Sequence, residues 1–347
     1  MTTGGNERAP EREYLCVEAF LATPAEARAL RAAIELGVID LLARSAPCDL
    51  ATLQAAWRGD YRGLELLLSL LAVNGVIERR DGGAVLTEAF ARALRFRDLI
   101  EAKLHFADAL AGDLADRFTL LLADPDGFQR DSRLFELFRY DLACQRSPEN
   151  LAATRRWVAL TTALTRYEGP VCLSRYDFSR HRRVLDVGGN SGEFAATICR
   201  RHARVEGVVF DLPVVCDIGR DHVEGLGLSG RVSFLPGDAL ADPWPGGFDL
   251  VIFKSMLHDW PDSHARALLA RARQALAPGG TLLIFERSPI AIGPGAVPYS
   301  LLPMLLLFRS FRGPGWYVDT CADLGFAPAT AVRVELETPF FLLTASR

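Results

Sequence analysis

The stretch LDVGGNSGEF, Leu185 to Phe194, constrains the fold of this 347-residue chain more than any other. Its apolar beginning predicts a buried strand, its glycines a tight turn, and the following EFAATICRRH a helix. Gly188 and Gly192 allow the backbone to come close to a ligand at the carboxyl end of the strand. Asn190 stands where a third glycine is common, and asparagine tolerates a positive φ better than most residues. We therefore expect a ligand-binding strand–turn–helix unit here.

Strands and helices alternate from Arg182 onward, which predicts an α/β domain over residues 181–347. After RRVLDVGG, the predicted strands are VEGVVFDLP, RVSFLPGD, FDLVIFKSM and TLLIFER, and TPFFLLTA is expected to be a final edge strand. Strands separated by helices indicate a doubly wound, parallel, Rossmann-like sheet, which binds ligands beyond the carboxyl ends of its strands.

Three acidic side chains follow the first three of these strands: Asp186, Asp211 and Asp238. No phosphate-binding lysine follows the glycine turn, so a triphosphate is disfavoured. An acid at the turn suits an ammonium group, which S-adenosylmethionine (SAM) carries at its amino-acid end. Asp211 is placed to accept from the ribose hydroxyls, and Asp238 from the adenine amino group. Each acid alone also fits a helix cap or a solvated loop, but as a set they predict a SAM site.

The N-terminal part predicts a polar tail (residues 1–14) followed by a winged-helix-like domain (residues 15–95). Helical patterns over Ala22 to Ala43, after a capping Asp49, and over Gly63 to Val73 precede a hairpin around DGG. A winged helix raises the alternative of a DNA-binding regulator that senses a ligand. The helix that would read DNA is mostly leucine, and the net charge is −4. We therefore favour dimerisation, with no nucleic-acid partner.

Residues 96–180 predict connecting helices that also line a substrate pocket, one of them beginning after Ser147 with Pro148 in its first turn. The seven cysteines contain no CxxC pair, so no metal site is expected, and reduced thiols indicate a cytoplasmic protein. The apolar run near the C-terminus is too short to span a membrane. We therefore expect no membrane partner.

The stretch FKSMLHDWPD, Phe253 to Asp262, follows the fourth predicted strand at the same edge of the sheet. A histidine is usually structural, but His258 stands at a strand end that faces the expected cofactor. It is therefore a candidate general base. An imidazole suits the removal of a proton from a phenol, whose pKa is about 10.

The chain resembles the class I SAM-dependent small-molecule O-methyltransferases, which include plant phenolic enzymes and bacterial polyketide and antibiotic tailoring enzymes. The resemblance rests on the order and spacing of short segments along the chain. These are YDFS, LDVGGNSG, FDLP, PGDAL, LHDWPD, LAPGG and a late GF pair. It implies an N-terminal homodimerisation domain, SAM as methyl donor, S-adenosyl-L-homocysteine (SAH) as product, and an antiparallel last strand. Its cofactor contacts fall on Asp186, Gly188, Gly192, Asp211, Asp238, Ala239, Lys254 and Trp260. Its catalytic base falls on His258, oriented by Glu286.

One departure from the family concerns a second carboxylate. The family usually carries GKERT, whose glutamate is a second partner of the catalytic histidine, and here the region reads RSFRGPGWY. Some members that bind SAM act as hydroxylases, decarboxylases or pericyclases, and transfer to nitrogen or carbon is a further alternative. The expected function is methyl transfer to a hydroxyl of an aromatic natural product. Candidate substrate residues are Met304, Phe308 and Trp157, for which core or dimer packing is the alternative.

Overall fold

A computed structural model describes residues 10–21, 24–45, 47–80, 82–124, 127–128, 130, 132–290 and 311–347. Met304 and Phe308 lie outside these ranges. The chain divides into two compact units, and among the described residues the first extends to Leu134 and the second begins at Phe135. This division falls within residues 96–180, the predicted block of connecting helices.

The first unit is mainly helical. A 3₁₀ helix, Pro10–Phe20, is followed by α1 (Pro24–Glu35), α2 (Val38–Arg44), β1 (Cys48–Asp49), α3 (Leu50–Ala56), α4 (Tyr61–Val73), β2 (Ile77–Arg80), β3 (Gly83–Leu86), α5 (Glu88–Ala93) and α6 (Arg97–Ala123). The three strands pair antiparallel in the order β1-β3-β2. Helices followed by this hairpin confirm the predicted winged-helix arrangement.

Local capping accounts for two helix boundaries in this unit. Asp49 Oδ1 accepts the Thr52 amide at 2.7 Å, so the predicted N-cap of α3 is confirmed. The expected continuous helical pattern from Ala22 to Ala43 is instead two helices. Gly37 lies between them with φ of 75°, a left-handed conformation that ends α1 and redirects the chain.

Helix α4 has two apolar faces. Leu64, Leu67, Leu68 and Leu71 are buried within the unit. Leu66, Leu70 and Val73 stand on the outer face with 62%, 37% and 81% of their surface exposed. Exposed apolar side chains at positions i, i+4 and i+7 of one helix form a stripe typical of a protein–protein contact.

The second unit contains the predicted α/β domain. It begins with α7 (Arg133–Leu137, at the boundary), α8 (Tyr140–Ala143) and α9 (Pro148–Leu173). Then follow β4 (Arg183–Val187), α10 (Glu193–Arg201), β5 (Glu206–Asp211), α11 (Pro213–Gly225), β6 (Val232–Pro236), β7 (Phe248–Lys254), α12 (Asp262–Ala275), β8 (Leu276–Arg287), α13 (Pro314–Asp323), β9 (Thr330–Glu335) and β10 (Pro339–Ser346). Ser147 Oγ caps α9 by accepting the Asn150 amide at 3.1 Å, as predicted.

The seven-stranded sheet has the order β6-β5-β4-β7-β8-β10-β9. β4 to β8 are parallel to one another, whereas β10 runs antiparallel to both β8 and β9. The antiparallel direction of the last strand is confirmed, but its expected place at the edge is wrong. That place belongs to β9, whose mostly exposed TAVRVE gives little apolar signal in sequence.

The central strands are buried almost completely, which fixes where their ends lie. Val187, Phe210, Phe253 and Phe285 are each at most 1% exposed. A side chain of this size contributes roughly 1.5–3 kcal/mol through burial, so a slipped register would be costly. The order of strands reverses at β4, and crevices at such a point bind ligands beyond the carboxyl ends of the strands.

Among the described helices, none is long and apolar enough to cross a bilayer.

Candidate active site

The glycine turn after β4 has the backbone that the sequence predicts. Gly188, Asn190 and Gly192 have φ values of 65°, 57° and 76°. A Cβ at Gly188 would lie 2.6 Å from Met256 Cγ, so both its conformation and its surroundings require glycine. Asn190 takes the left-handed conformation, and its amide donates to Asp211 Oδ2 at 2.8 Å. The turn therefore brings the ends of β4 and β5 together.

Asp186 is a buried carboxylate in which neither oxygen has a hydrogen-bond partner among the described residues. Burial, together with the negative charge of Asp211, raises the pKa of Asp186 to about 7, although Lys254 opposes the shift. A buried carboxylate without a donor is costly in the protein alone. The ammonium group at the amino-acid end of SAM would supply the missing donor and charge, so this residue fits the cofactor.

The two other predicted acids lie at the neighbouring strand ends. Asp211 accepts the amides of Asn190 and Leu212 at 2.8 and 2.7 Å, and burial raises its pKa to about 6. Asp238 is half-buried after β6 and accepts the Leu240 amide at 2.8 Å. Ala239 follows it, and its carbonyl accepts from Trp244 Nε1. Because β6, β5 and β4 are neighbours in the sheet, these acids lie next to one another at the carboxyl ends of the strands.

Lys254, at the end of β7, is engaged inside the unit. Its ammonium group pairs with Glu168 and donates to Thr165 Oγ1 at 3.0 Å, and its side chain is 8% exposed. Glu168 also accepts from Arg287 Nη2 at 2.7 Å. The predicted contact between Lys254 and the cofactor stays a prediction, and its charge already acts on Asp186.

His258 and Glu286 form a buried pair across the ends of β7 and β8. His258 lies in the 3₁₀ helix Leu257–Asp259, and its Nδ1 is 2.8 Å from Glu286 Oε1. Burial disfavours the imidazolium, but the carboxylates of Glu286 and Asp259 outweigh it and raise the pKa of His258. For Glu286, burial is likewise outweighed by His258 and by the Arg287 amide, and its pKa is lowered.

Phe311 packs against His258 in the segment where the family's second carboxylate is expected. The two ring centroids are 5.3 Å apart in an edge-on arrangement, and Phe311 is buried. The neighbouring Arg312 donates to the Leu257 carbonyl at 3.0 Å and to that of Trp260. Arg312 therefore fixes the turn that carries His258 by binding the backbone carbonyls of that turn, and the described residues of this segment contribute no second carboxylate.

The aromatic candidates occupy different surroundings. Trp260 is half-buried and packs edge-on to His264 at 6.0 Å. Trp157 is 5% exposed and packs on Tyr140 and Phe138, with centroid distances of 5.3 and 6.4 Å. The predicted contacts of Trp260 with adenine and of Trp157 with substrate stay predictions.

Sequence reasoning missed several residues around the histidine. Tyr140 donates to Asp259 Oδ2 at 2.9 Å across 119 positions of sequence. Glu168 and Arg287 pair across the same separation. Such pairs leave no local pattern. Ser255 has a positive φ of 50°, and strained non-glycine residues of this kind cluster at functional sites. A serine in the sequence does not by itself predict such a backbone conformation.

A glycine turn, three acids at successive strand ends and a carboxylate–histidine pair beside them define a SAM-dependent methyltransferase. Residues 143–308 match the O-methyltransferase domain family, and residues 22–94 match the O-methyltransferase dimerisation domain. The chain belongs to this family and is a SAM-dependent O-methyltransferase.

Two curated relatives show how far the similarity extends. The 3-hydroxy-5-methyl-1-naphthoate 3-O-methyltransferase of Streptomyces sahachiroi is 30% identical over 318 residues, which cover 88% of this chain and 87% of the relative. The O-methyltransferase SfmM3 of Streptomyces lavendulae is 32% identical over 75% of this chain and 76% of the relative.

A solved structure shares the fold over nearly the whole chain. Human N-acetylserotonin methyltransferase, solved in complex with SAM, superposes with a TM-score of 0.71 at 23% identity and covers 99% of both chains.

Proposed function

We propose that this enzyme transfers the methyl group of SAM to a hydroxyl of an aromatic small molecule, as a tailoring step in natural-product synthesis. The observation that carries the proposal is the buried His258–Glu286 pair at the strand ends beside Asp186 and Asp211. The naphthoate-specific relative, whose name gives an aromatic hydroxyl as acceptor, supports this class of substrate. SAM, when bound, supplies an electrophilic methyl group on a sulfonium.

In this mechanism His258 is the general base. Glu286 occupies Nδ1, which leaves Nε2 as the nitrogen that accepts the hydroxyl proton. A phenol with a pKa of about 10 is protonated at neutral pH, and a positioned base contributes roughly 10²–10⁴-fold to the rate. Glu286 and Asp259 stabilise the imidazolium that results. Because the pKa of His258 is raised, we expect activity to fall as the pH drops through that raised value.

Methyl-labelled SAM offered with a panel of phenolic acceptors tests the activity directly. Transfer of label to an oxygen, established from the product structure, is the expected result. His258→Ala is expected to lower kcat by roughly a hundredfold or more while SAH binding is retained, because only proton removal is lost. Near-normal turnover of this variant would show that His258 is not the base.

A second candidate function keeps the cofactor but not the methyl transfer. It is favoured by Phe311, which packs on His258 where the family's second carboxylate is expected. In that case SAM binds and no acceptor in the panel takes up the label. Conversion of an acceptor without labelling would then identify a hydroxylase, decarboxylase or pericyclase.

We also propose that the enzyme is a homodimer in the cytoplasm. The match to a dimerisation domain over residues 22–94 and the exposed apolar stripe of Leu66, Leu70 and Val73 support the dimer. All seven cysteines are unpaired, as expected in a reducing compartment.

A further inference from the structure

Tyr140 forms a hydrogen bond to the aspartate that follows His258. Its hydroxyl donates to Asp259 Oδ2 at 2.9 Å, and an ionised carboxylate only accepts. Burial, together with the charges of Asp259 and then Asp211, raises the pKa of Tyr140. The phenol therefore stays protonated and remains a donor at neutral pH.

The position of the Tyr140 hydroxyl is fixed by aromatic packing. The Tyr140 ring packs edge-on to Trp157, with centroids 5.3 Å apart, and against Phe138 at 6.5 Å. Trp157 belongs to an apolar cluster that includes Val158, Val214 and Val215. A hydroxyl on a ring held in this way constrains the oxygen that it binds.

The second oxygen of Asp259 faces the nitrogen that the proposed mechanism uses. Asp259 Oδ1 is 3.3 Å from His258 Nε2, whereas Glu286 Oε1 is only 2.8 Å from Nδ1. A charge-assisted bond between nitrogen and a carboxylate is typically 2.7–2.9 Å long. Asp259 Oδ1 therefore contacts Nε2, but at a distance longer than that of a full charge-assisted hydrogen bond.

We infer that Tyr140 is a positioning residue for methyl transfer: its hydroxyl holds Asp259 at this longer distance from Nε2 of His258, at which the acceptor hydroxyl can compete for that nitrogen. This inference rests on the proposed role of His258 as the base. Within the described ranges, the charged groups that act on the imidazole are Glu286, Asp259 and Arg287, and the Phe311 ring on its edge is uncharged. Of these, only Asp259 faces Nε2.

Removal of the Tyr140 hydroxyl has a defined electrostatic consequence. Burial raises the pKa of Asp259, and the charge of His258 and the Tyr140 hydrogen bond oppose that rise. Without the hydrogen bond, the ionised Asp259 depends more on the His258 imidazolium and is free to turn toward it. A closer opposite charge favours the protonated imidazole, so the pKa of His258 rises. Tyr140→Phe should raise that pKa by about half to one unit and lower kcat at pH 7 by about 3–10-fold. Activity should return toward wild type at higher pH.

The test measures the pKa of His258 by NMR in the wild type, Tyr140→Phe, Asp259→Asn and the double variant. The His258 signal is assigned by its loss in His258→Gln. We expect the pKa to rise in Tyr140→Phe and to fall below wild type in both variants that carry Asp259→Asn. Tyr176→Phe is the matched control, since it removes a hydroxyl 2.8 Å from Nε2 of another histidine, His181, and should leave His258 unchanged.

The kinetic pH profile separates two ways of failing. If the pKa of His258 in Tyr140→Phe stays the same or falls, the inference about Tyr140 is wrong and the base assignment is untouched. If that pKa rises but the acid limb of kcat/KM does not follow it, His258 is not the base, and the inference falls with the proposed function. A uniform loss of kcat at every pH would mean that Tyr140 has only a structural role.

Discussion

At the scale of single residues, the buried carboxylate of Asp186 lowers the free energy of unfolding of the protein. The Asp186 carboxylate is buried with no hydrogen-bond partner in the part of the chain that the structure describes, and its pKa of about 7 lies well above the ordinary value. A raised folded-state pKa means that the stabilising contribution is present at low pH and is lost as the pH rises from about 4 through about 7. Such a cost is typical of a residue that binds a cationic group, which is the role that we propose for Asp186 toward SAM.

Asp186→Asn should therefore change stability and affinity in opposite directions. At pH 8 we expect the ligand-free variant to unfold a few degrees higher than wild type, because a buried unpaired charge is gone. SAH affinity should fall about tenfold or more, because the ammonium loses its counter-charge. Calorimetric unfolding and titration with SAH measure the two effects.

The pH dependence of SAH binding gives a second check on Asp186. Between pH 5.5 and 7 the ligand's α-amino group stays protonated, so a rise in wild-type affinity over this range reports ionisation of Asp186. Asp186→Asn should lose that slope, whereas Glu206→Gln, an exposed control at the other end of the sheet, should keep it. An unchanged slope in Asp186→Asn would refute the assignment.

At the scale of elements, the 3₁₀ helix Leu257–Asp259 depends on the segment before α13. Arg312 donates to the carbonyl of Leu257 in this helix and to that of Trp260 directly after it. The Nε of Arg312 pairs with Asp262 at 2.6 Å. The guanidinium also lies over the Trp316 ring at 4.9 Å. Only 11% of the Arg312 side chain is exposed, so its bonds to the two carbonyls are partly shielded from water, whereas Asp262 is mostly exposed. One planar group thus fixes the short element that carries His258.

Arg312→Met should loosen this element. We expect kcat to fall about 3–30-fold and the free energy of unfolding to fall by about 2–3 kcal/mol, since hydrogen bonds from a charged group contribute roughly 1.5–3 kcal/mol each. Denaturant unfolding and steady-state kinetics measure the two losses. Arg333→Met, which removes a mostly exposed arginine on β9, is the control and should change neither. Wild-type kcat in Arg312→Met would contradict this account.

At the scale of the whole molecule, the outer face of α4 is the feature that a single chain does not explain. Leu66 and Val73 are 62% and 81% exposed on a helix whose other face is buried. Apolar side chains at this spacing are stabilised when a second surface covers them.

Leu66→Lys should therefore weaken the proposed homodimer. Burying a lysine without a partner is unfavourable, so we expect the molar mass from light scattering to shift from that of two chains toward that of one at micromolar concentration. Glu224→Lys places the same charge on an exposed site of the second unit and should leave the mass unchanged. A monomeric wild type, or a dimeric Leu66→Lys variant, would overturn the assigned surface.

The sequence was most informative where structure and function depend on neighbouring residues. LDVGGNSG predicts its strand and its left-handed turn directly, because glycine and asparagine adopt those φ values more readily than most residues. The strand and helix alternation predicts that Asp186, Asp211 and Glu286 end strands of one sheet, which the structure confirms. β9 was missed because its side chains are mostly exposed and leave no periodic apolar pattern.

The fold class, the family and the strand ends that carry the candidate site residues could all be predicted from the amino-acid sequence. The neighbours of these residues follow from the packed fold: Tyr140 on Asp259, Phe311 on His258, and Glu168 on Lys254. The reason is physical. Strands and turns follow from steric preferences within a few residues, whereas these contacts join side chains that are far apart in sequence and meet only when the core has packed.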